Sequence, residues 1–299
     1  MALSTKTIKR RIKSIGNTKK ITKAMEMISA VKMRRAVNNV LSSRSYADLA
    51  WKMLLDISQK TEIKHHLLLA KRRVKNIAVV FVTSNRGLSG GFSSRLIQEA
   101  HAYIVNAEKS DDVHVEIFLM GKRGRKIYKY YGHPVVAEFD KLDLTTRSEE
   151  ILPLAQVVTS GYIERKYDKV VVAYTDFVSA IKQVPRVKQI LPLKRADELL
   201  GHVGEDRENE KKENVEFTFE PSPIEVLNVL LPRLVEVQMY QAVLESDASE
   251  HSARMMAMRN ASDAAEDMIK ELNHNFNKAR QAAITKEILD IVGGAAALG

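Results

Sequence analysis

The chain has no cysteine and no long apolar run, and each absence excludes a class of function. Without cysteine there is no disulfide, no zinc-finger site and no thiol nucleophile. No run of 18 apolar residues occurs, so we expect no membrane-spanning helix. The amino terminus lacks an apolar signal-peptide core, although its basic opening, free of acid up to Glu26, superficially resembles a transit peptide.

Proline and glycine are scarce in two long stretches, one at each end of the chain. Residues 4–58 contain Gly16 and no proline, and apolar residues recur there every three or four positions, which predicts one helix within an N-terminal segment 1–60. The triplet Ile21, Met25 and Ile28 falls out of step with the residues on either side. We therefore expect the apolar stripe to drift around this helix and to change partner along its length.

The C-terminal segment 221–299 has the spacing of a coiled coil. Fourteen of the eighteen positions in an unbroken three-four series are apolar, and only Pro232 interrupts the segment before Gly293. A helix over residues 222–292 would be roughly 105 Å long, whereas a compact globule of this chain length is about 50 Å across. We therefore predict that the two end helices pair antiparallel as a shaft. The series is Leu227, Leu230, Leu234, Val237, Gln241, Leu244, Ala248, His251, Met255, Met258, Ser262, Ala265, Ile269, Leu272, Phe276, Ala279, Ala283 and Lys286.

Between these ends the apolar period changes to that of strands. Apolar or alternating runs predict strands at 77–82, 113–120, 135–139, 170–174 and, more weakly, 184–191, with helices near 92–109, 122–131 and 147–166. This alternation predicts an α/β fold with a parallel sheet, a small Rossmann-like domain over residues 75–195. A charged loop at 200–214 and a short strand at 215–219 would lead into the C-terminal helix.

The net charge of +10 resides in one part of the chain. Residues 1–50 hold twelve lysines and arginines against Glu26 and Asp48, and the rest of the chain is balanced. A basic helix of this kind indicates an acidic partner, and nucleic acid, anionic lipid and an acidic protein surface all remain open.

Catalytic and ligand-binding patterns are weak. The loop Thr83–Phe92 follows a strand and precedes a helix, where Rossmann folds bind pyrophosphate, but its glycines match neither the dinucleotide fingerprint nor a Walker loop. The histidines are not at metal-ligand spacing, and His251 lies on the coiled-coil series, where a core position is the simpler interpretation. We therefore expect no catalytic residue, no cofactor and no metal.

The last turns indicate an interaction surface. Apolar residues follow Arg280–Thr285, at Ile288, Leu289, Ile291 and Val292, where the shorter N-terminal helix offers no partner. An apolar end without a core of its own is typical of a site that binds another protein.

Motifs at both ends resemble those of one family, the gamma subunits of F-type ATP synthases. Ile8–Ile12 and Asn17–Met27 resemble its opening helix, Ser249–Met258 and Asn277–Glu287 resemble its closing helix, and Asn85–Gly91 resembles its loop after the first strand. Three positions depart from the family pattern: Asn85 and Ser89 replace Asp and Cys, and Ala264 replaces Asn.

The resemblance implies a non-catalytic rotor shaft, peripheral on the cytoplasmic face of the bacterial membrane within a proton-translocating ATP synthase. The implied partners are a hexamer of three alpha and three beta subunits, the epsilon subunit and the ring of c subunits, with no nucleic acid. It also implies beta-subunit contacts for six residues: Lys23, Met25, Arg254, Arg280, Gln281 and Thr285. Apart from the resemblance, two alternatives stay open, a coiled-coil nucleic-acid-binding protein and a nucleotide-dependent enzyme built on the α/β domain.

Overall fold

The structure, a computed structural model, describes residues 5–60, 66–109, 112–141, 147–193, 220 and 222–298. Both predicted end helices are present, α1 over Thr5–Lys60 and α5 over Pro223–Leu298. α5 continues through Pro232 and past Gly293, so it is longer than predicted. The predicted charged loop at 200–214 and the strand at 215–219 lie outside the described residues.

Strands and helices alternate between α1 and α5, as predicted. A short 3-10 helix at Lys122–Arg125 precedes α3. The elements are β1 (Asn76–Val82), α2 (Phe92–Glu108), β2 (His114–Met120), α3 (Lys126–Tyr131), β3 (Val135–Phe139), α4 (Ser148–Ile163), β4 (Lys169–Phe177) and β5 (Gln183–Leu191).

The five strands form one sheet in the order β3-β2-β1-β4-β5. The first four strands run parallel to one another, which confirms the predicted parallel sheet, but β5 pairs antiparallel with β4. The reason is the short connection after β4, where the Ser179 amide donates to the Lys182 carbonyl in a tight turn. A parallel partner would need a crossover of a dozen or more residues.

Helices cover both faces of the sheet. Its central strands are therefore continuous runs of apolar residues, without the alternation of apolar and polar residues that a half-exposed strand has. One face packs against α2, through Leu96, Ile97, Ala100 and Ile104. The other face packs against α4 and the first half of α5. That half of α5 contributes Leu227, Leu231, Leu234, Val235, Met239, Ala242 and Val243.

The contacts divide the chain into two compact units, Met1–Ile28 with Met255–Gly299, and Ser29–Arg254. In the first unit α1 and α5 run antiparallel, because Lys19 pairs with Glu266 at 2.9 Å and Thr22 pairs with Ser262 at 2.7 Å. The predicted series on α5 is confirmed here as far as Ala279, but its last two positions, Ala283 and Lys286, are exposed because they lie beyond the end of α1 that the structure describes. Its less exposed positions in this unit include Met258, Ser262, Ala265, Ile269, Leu272, Phe276 and Ala279.

The predicted drift of the stripe on α1 is wrong. Ile21 and Ile28 are 61% and 57% exposed, and the buried position between them is Thr22, at 8%. The three-four spacing from Ile8 continues without drift, but polar residues occupy it at Lys19 and Thr22. Thr22 is tolerated at the contact because its hydroxyl hydrogen-bonds Ser262.

Candidate functional site

The strongest candidate surface is the tip of α5, which we define as residues 280–292. Every residue from Arg280 to Leu289 is exposed, although the segment is rich in apolar side chains. The pairing of Lys19 with Glu266 and of Thr22 with Ser262 places Thr5 level with about residue 280. The tip therefore extends beyond the first described residue of α1. Its exposed apolar side chains are Ile284 (49%), Ile288 (55%), Leu289 (64%), Ile291 (67%) and Val292 (59%).

Three of the predicted contact residues lie on this tip. Arg280, Gln281 and Thr285 are all exposed, and Gln281 and Thr285 share a helix face because they are four residues apart. They place a positive charge, an amide and a hydroxyl beside the apolar side chains. Such a mixture of apolar area and a few oriented polar groups is typical of a protein-binding surface.

Two further predicted residues, Lys23 and Met25, lie on the stretch of α1 from Ile21 to Ile28, which we call the α1 patch. Lys23 lies on the opposite side of the helix from Ile21, Met25 and Ile28, because residues two positions apart do not share a helix face. The Lys23 ammonium pairs with Glu26 at 3.0 Å and its side chain is 58% exposed, while Met25 is half-buried. The patch is level with Ser262 on α5, about 27 Å along the helix pair from Arg280. The structure therefore separates these residues into two surfaces rather than one site. The exposure of Ile21 and Ile28 was missed because an apolar residue in a helix was assigned to the core.

The sixth predicted residue, Arg254, has its partners within the protein. In the second unit its guanidinium is buried, donates to Glu250 Oε1 at 2.7 Å and reaches the Gly87 carbonyl at 3.4 Å. It also donates to His251 Nδ1 at 3.3 Å, and burial lowers the pKa of His251 to about 4. Contact of Arg254 with a beta subunit stays a prediction.

The loop Thr83–Phe92 lies at the crevice where a doubly wound sheet ordinarily binds ligands. This crevice is found at the carboxyl ends of neighbouring strands whose connections leave in opposite directions, here β1 and β4. α5 lies across both strand ends. The Ser246 hydroxyl donates to the Val82 carbonyl at 3.3 Å, and the Ser249 hydroxyl donates to the Thr175 carbonyl at 3.1 Å. The protein's own helix thus takes the place of a nucleotide there.

The part of the chain that the structure describes shows neither a metal-binding cluster nor a helix suited to a bilayer. Among those residues, no group of three or more His, Cys, Asp or Glu side chains could hold a metal ion. Within the same ranges, none of the helices is both long and apolar enough to cross a bilayer.

Comparison with known proteins identifies the family. The family model described as ATP synthase matches residues 4–298. The ATP synthase gamma chains of Chloroflexus aurantiacus and Roseiflexus castenholzii are 41% and 43% identical over 298 residues, which is 99% of this chain and 99% and 98% of theirs. That of Legionella pneumophila is 36% identical over 98% of this chain and 99% of its own.

The chain belongs to the ATP synthase gamma chain family. This confirms the resemblance drawn from the end motifs. Chains in two cryo-EM structures of mitochondrial ATP synthases share the fold. The first, from the central stalk and c-ring of Tetrahymena thermophila, has a TM-score of 0.59 at 24% identity, covering 81% of this chain and 99% of that one. The second, from Euglena gracilis, has a TM-score of 0.63 at 15% identity, covering 98% and 94%.

Proposed function

We propose that this gamma chain is the rotor of the F1 sector of a proton-translocating ATP synthase. It would turn inside a hexamer of three alpha and three beta subunits and couple ion flow through the c-ring to ATP synthesis. The observation that carries the proposal is the tip of α5, which exposes five large apolar side chains. An exposed apolar surface of this kind indicates a partner, and the hexamer supplies an enclosing one.

The mechanism follows from the separation of the two surfaces. The tip and the α1 patch present different side chains at different heights, so beta subunits around the shaft would meet different contacts at any instant. A ligand shifts a conformational equilibrium only by its differential affinity for the two states. Each orientation of the shaft would therefore stabilise one conformation of a given beta subunit over another, and rotation would pass that preference around the ring.

The roles of individual residues are contacts rather than bond making. Arg280, Gln281 and Thr285 would hydrogen-bond one beta-subunit loop, while Lys23 and Met25 would meet an acidic segment of another. The exposed ammonium of Lys23 suits an acidic partner, since its pairing with Glu26 is at the surface and is easily exchanged. The subunit would have no catalytic residue and would be peripheral, on the cytoplasmic face of the membrane, with the epsilon subunit and the c-ring as its other partners.

Reconstitution tests this function. The purified chain is mixed with alpha and beta subunits, and we expect a soluble complex that hydrolyses ATP. Changing Arg280 and Gln281 together to alanine should lower assembly or ATPase while the isolated chain stays folded by circular dichroism. Lys270→Ala, an exposed change on the same helix, is the matched control. No complex with the unaltered chain would refute the function, and full ATPase from the double variant would refute the assigned contacts.

A further inference from the structure

A buried lysine reaches the end of β1, at the crevice that α5 fills. Lys141 follows β3, and its side chain is only 3% exposed. Its ammonium contacts Asp247 Oδ1 at 2.6 Å and Glu250 Oε2 at 3.0 Å, both on α5, and donates to the Thr83 carbonyl at 3.2 Å. One ammonium thus joins three separate parts of the second unit: the end of β1, the segment after β3 and helix α5.

The charges around Lys141 extend to the loop after β1. Glu250 also accepts from Arg254, and Arg254 reaches the Gly87 carbonyl. From the other side, the Asn85 amide donates to the Lys141 carbonyl, and its oxygen accepts from the Lys122 amide. The cluster therefore fixes the loop, the lysine and the helix to one another.

Lys141 and Glu250 each stabilise the charged form of the other. Burial opposes the charge on Lys141, but Asp247 and Glu250 outweigh it and raise the lysine pKa. Burial likewise opposes the charge on Glu250, and Lys141 and Arg254 lower the pKa of that carboxyl. Lys141 and Glu250 therefore both stay charged at neutral pH.

Stability alone is a poor explanation for such a cluster. Buried ion pairs are often no more stabilising than apolar residues of similar volume, and their best-attested use is to fix one register among several. Apolar surfaces can slide or roll past each other, whereas each contact of Lys141 requires one rotational setting of α5. The hydroxyl contacts of Ser246 and Ser249 impose the same setting.

We infer that Lys141 is a positioning residue that locks α5 to the α/β domain against rotation about the helix axis. The inference rests on the proposed function, because the lock matters where torque passes between this domain and the helix. Without this lock, α5 could turn about its own axis while the sheet stays in place. Part of the rotation would then not be transmitted between the helix and the domain.

The test uses a complete ATP synthase with this chain as its gamma subunit, reconstituted into vesicles. The readout is the ratio of ATP-driven proton pumping to ATP hydrolysis in assembled complexes. Lys141→Met keeps the packing of the stem but removes the ammonium, and Lys129→Met, on the exposed face of α3, is the control. We expect Lys141→Met to lose most of the pumping per ATP, Lys129→Met to retain it, and Lys141→Arg to restore much of it.

A triple variant separates positioning from simple stabilisation. Lys141→Met alone should lower the melting temperature of the chain by about 10 °C, because two carboxylates remain buried without the lysine. Adding Asp247→Asn and Glu250→Gln removes those charges but also takes the carboxylate from Arg254, so the melting temperature should recover in part while the pumping ratio should not recover. Recovery of both by the triple variant, or a normal ratio in Lys141→Met, would overturn the inference. Failure of both variants to assemble would overturn it too, since the lysine would then support the fold only.

Failure of the proposed function would be seen separately. The unaltered chain would then give no ATPase with alpha and beta subunits, whatever residue occupies position 141.

Discussion

Two segments of the same helix reverse the usual relation between burial and polarity. Residues 241–250 of α5 are all buried, although six of them are polar or charged, while residues 281–289 are all exposed, although five of them are apolar. Buried polar groups and exposed apolar groups are the informative exceptions in a protein. In the first segment Ser246, Asp247, Ser249 and Glu250 have partners within the chain, whereas the second segment is the surface that we propose to bind other subunits. The comparison therefore assigns one segment to the fold and the other to assembly.

The largest expected effect is at the buried end. Glu250→Ala would leave Lys141 and Arg254 buried without the carboxylate that lies between them, and removing one member of a buried ion pair costs about 3–5 kcal/mol. Urea unfolding of the isolated chain measures this. Glu271→Ala, an exposed change farther along α5, should leave the midpoint unchanged. Equal midpoints for the two variants would mean that the buried charges do not support the fold.

The stability of the chain should depend on pH partly through the protonation of His251. Burial favours its neutral form and lowers its pKa to about 4, below the ordinary value of 6.5. The unfolded chain therefore binds more protons between these values, so stability is complete above pH 6.5 and falls as the pH drops towards 4. The loss reaches about 3 kcal/mol. The groups that face His251 are Glu250, Arg254, Lys141 and Lys32.

The variant His251→Asn isolates this contribution. Unfolding free energies of the variant and the unaltered chain are compared from pH 7.5 to pH 4.5, where the variant should lose less stability. His66 and His133 titrate in both proteins, so only the difference between the two curves is diagnostic. Parallel curves would show that His251 is not shielded from water.

A smaller effect is expected where a polar pair occupies the helix contact. Thr22→Ala should destabilise the first unit by about 1–2 kcal/mol, because Ser262 loses its hydrogen-bond partner in a buried place. Changing both residues to alanine should cost less than the sum of the single changes. A double-mutant cycle by thermal unfolding measures the coupling. Simple additivity would show that the hydroxyls do not interact in solution.

The smallest effect on folding is expected at the tip. Ile288→Gln with Leu289→Gln changes side chains that are 55% and 64% exposed, so the melting temperature of the isolated chain should not fall. Assembly with alpha and beta subunits, followed by gel filtration, should nevertheless weaken. Lys278→Gln, on an exposed position just before the tip, serves as the control. A lower melting temperature without loss of assembly would reverse the assignment of the tip.

The sequence predicted the elements well because their periodicities are strong. The bounds of β3 and the start of α2 are as predicted, and the series on α5 from Met258 to Ala279 coincides with the less exposed face. The prediction failed on α1, where counting only apolar residues placed Ile21 and Ile28 in the core. The contact there is made by Thr22, whose burial depends on a hydroxyl partner 240 residues away in sequence.

No local sequence pattern predicted the buried charged cluster around Lys141. A single lysine after an edge strand carries no signal, and Lys141 acquires its partners only when α5 crosses the sheet. For Asp247 and Glu250 there was a weak signal, since they lie in a polar stretch within an otherwise apolar series. The function itself was predicted through the end motifs, because the bare patterns support only a basic coiled coil joined to an α/β domain.

Hydroxyl-radical footprinting tests the contrast between the two segments most directly. Side chains are labelled in the free chain and in its complex with alpha and beta subunits. We predict that Ile284, Ile288 and Leu289 react in the free chain and are protected in the complex, while Leu244 is unreactive in both. Equal labelling of the tip in the two samples would contradict the account.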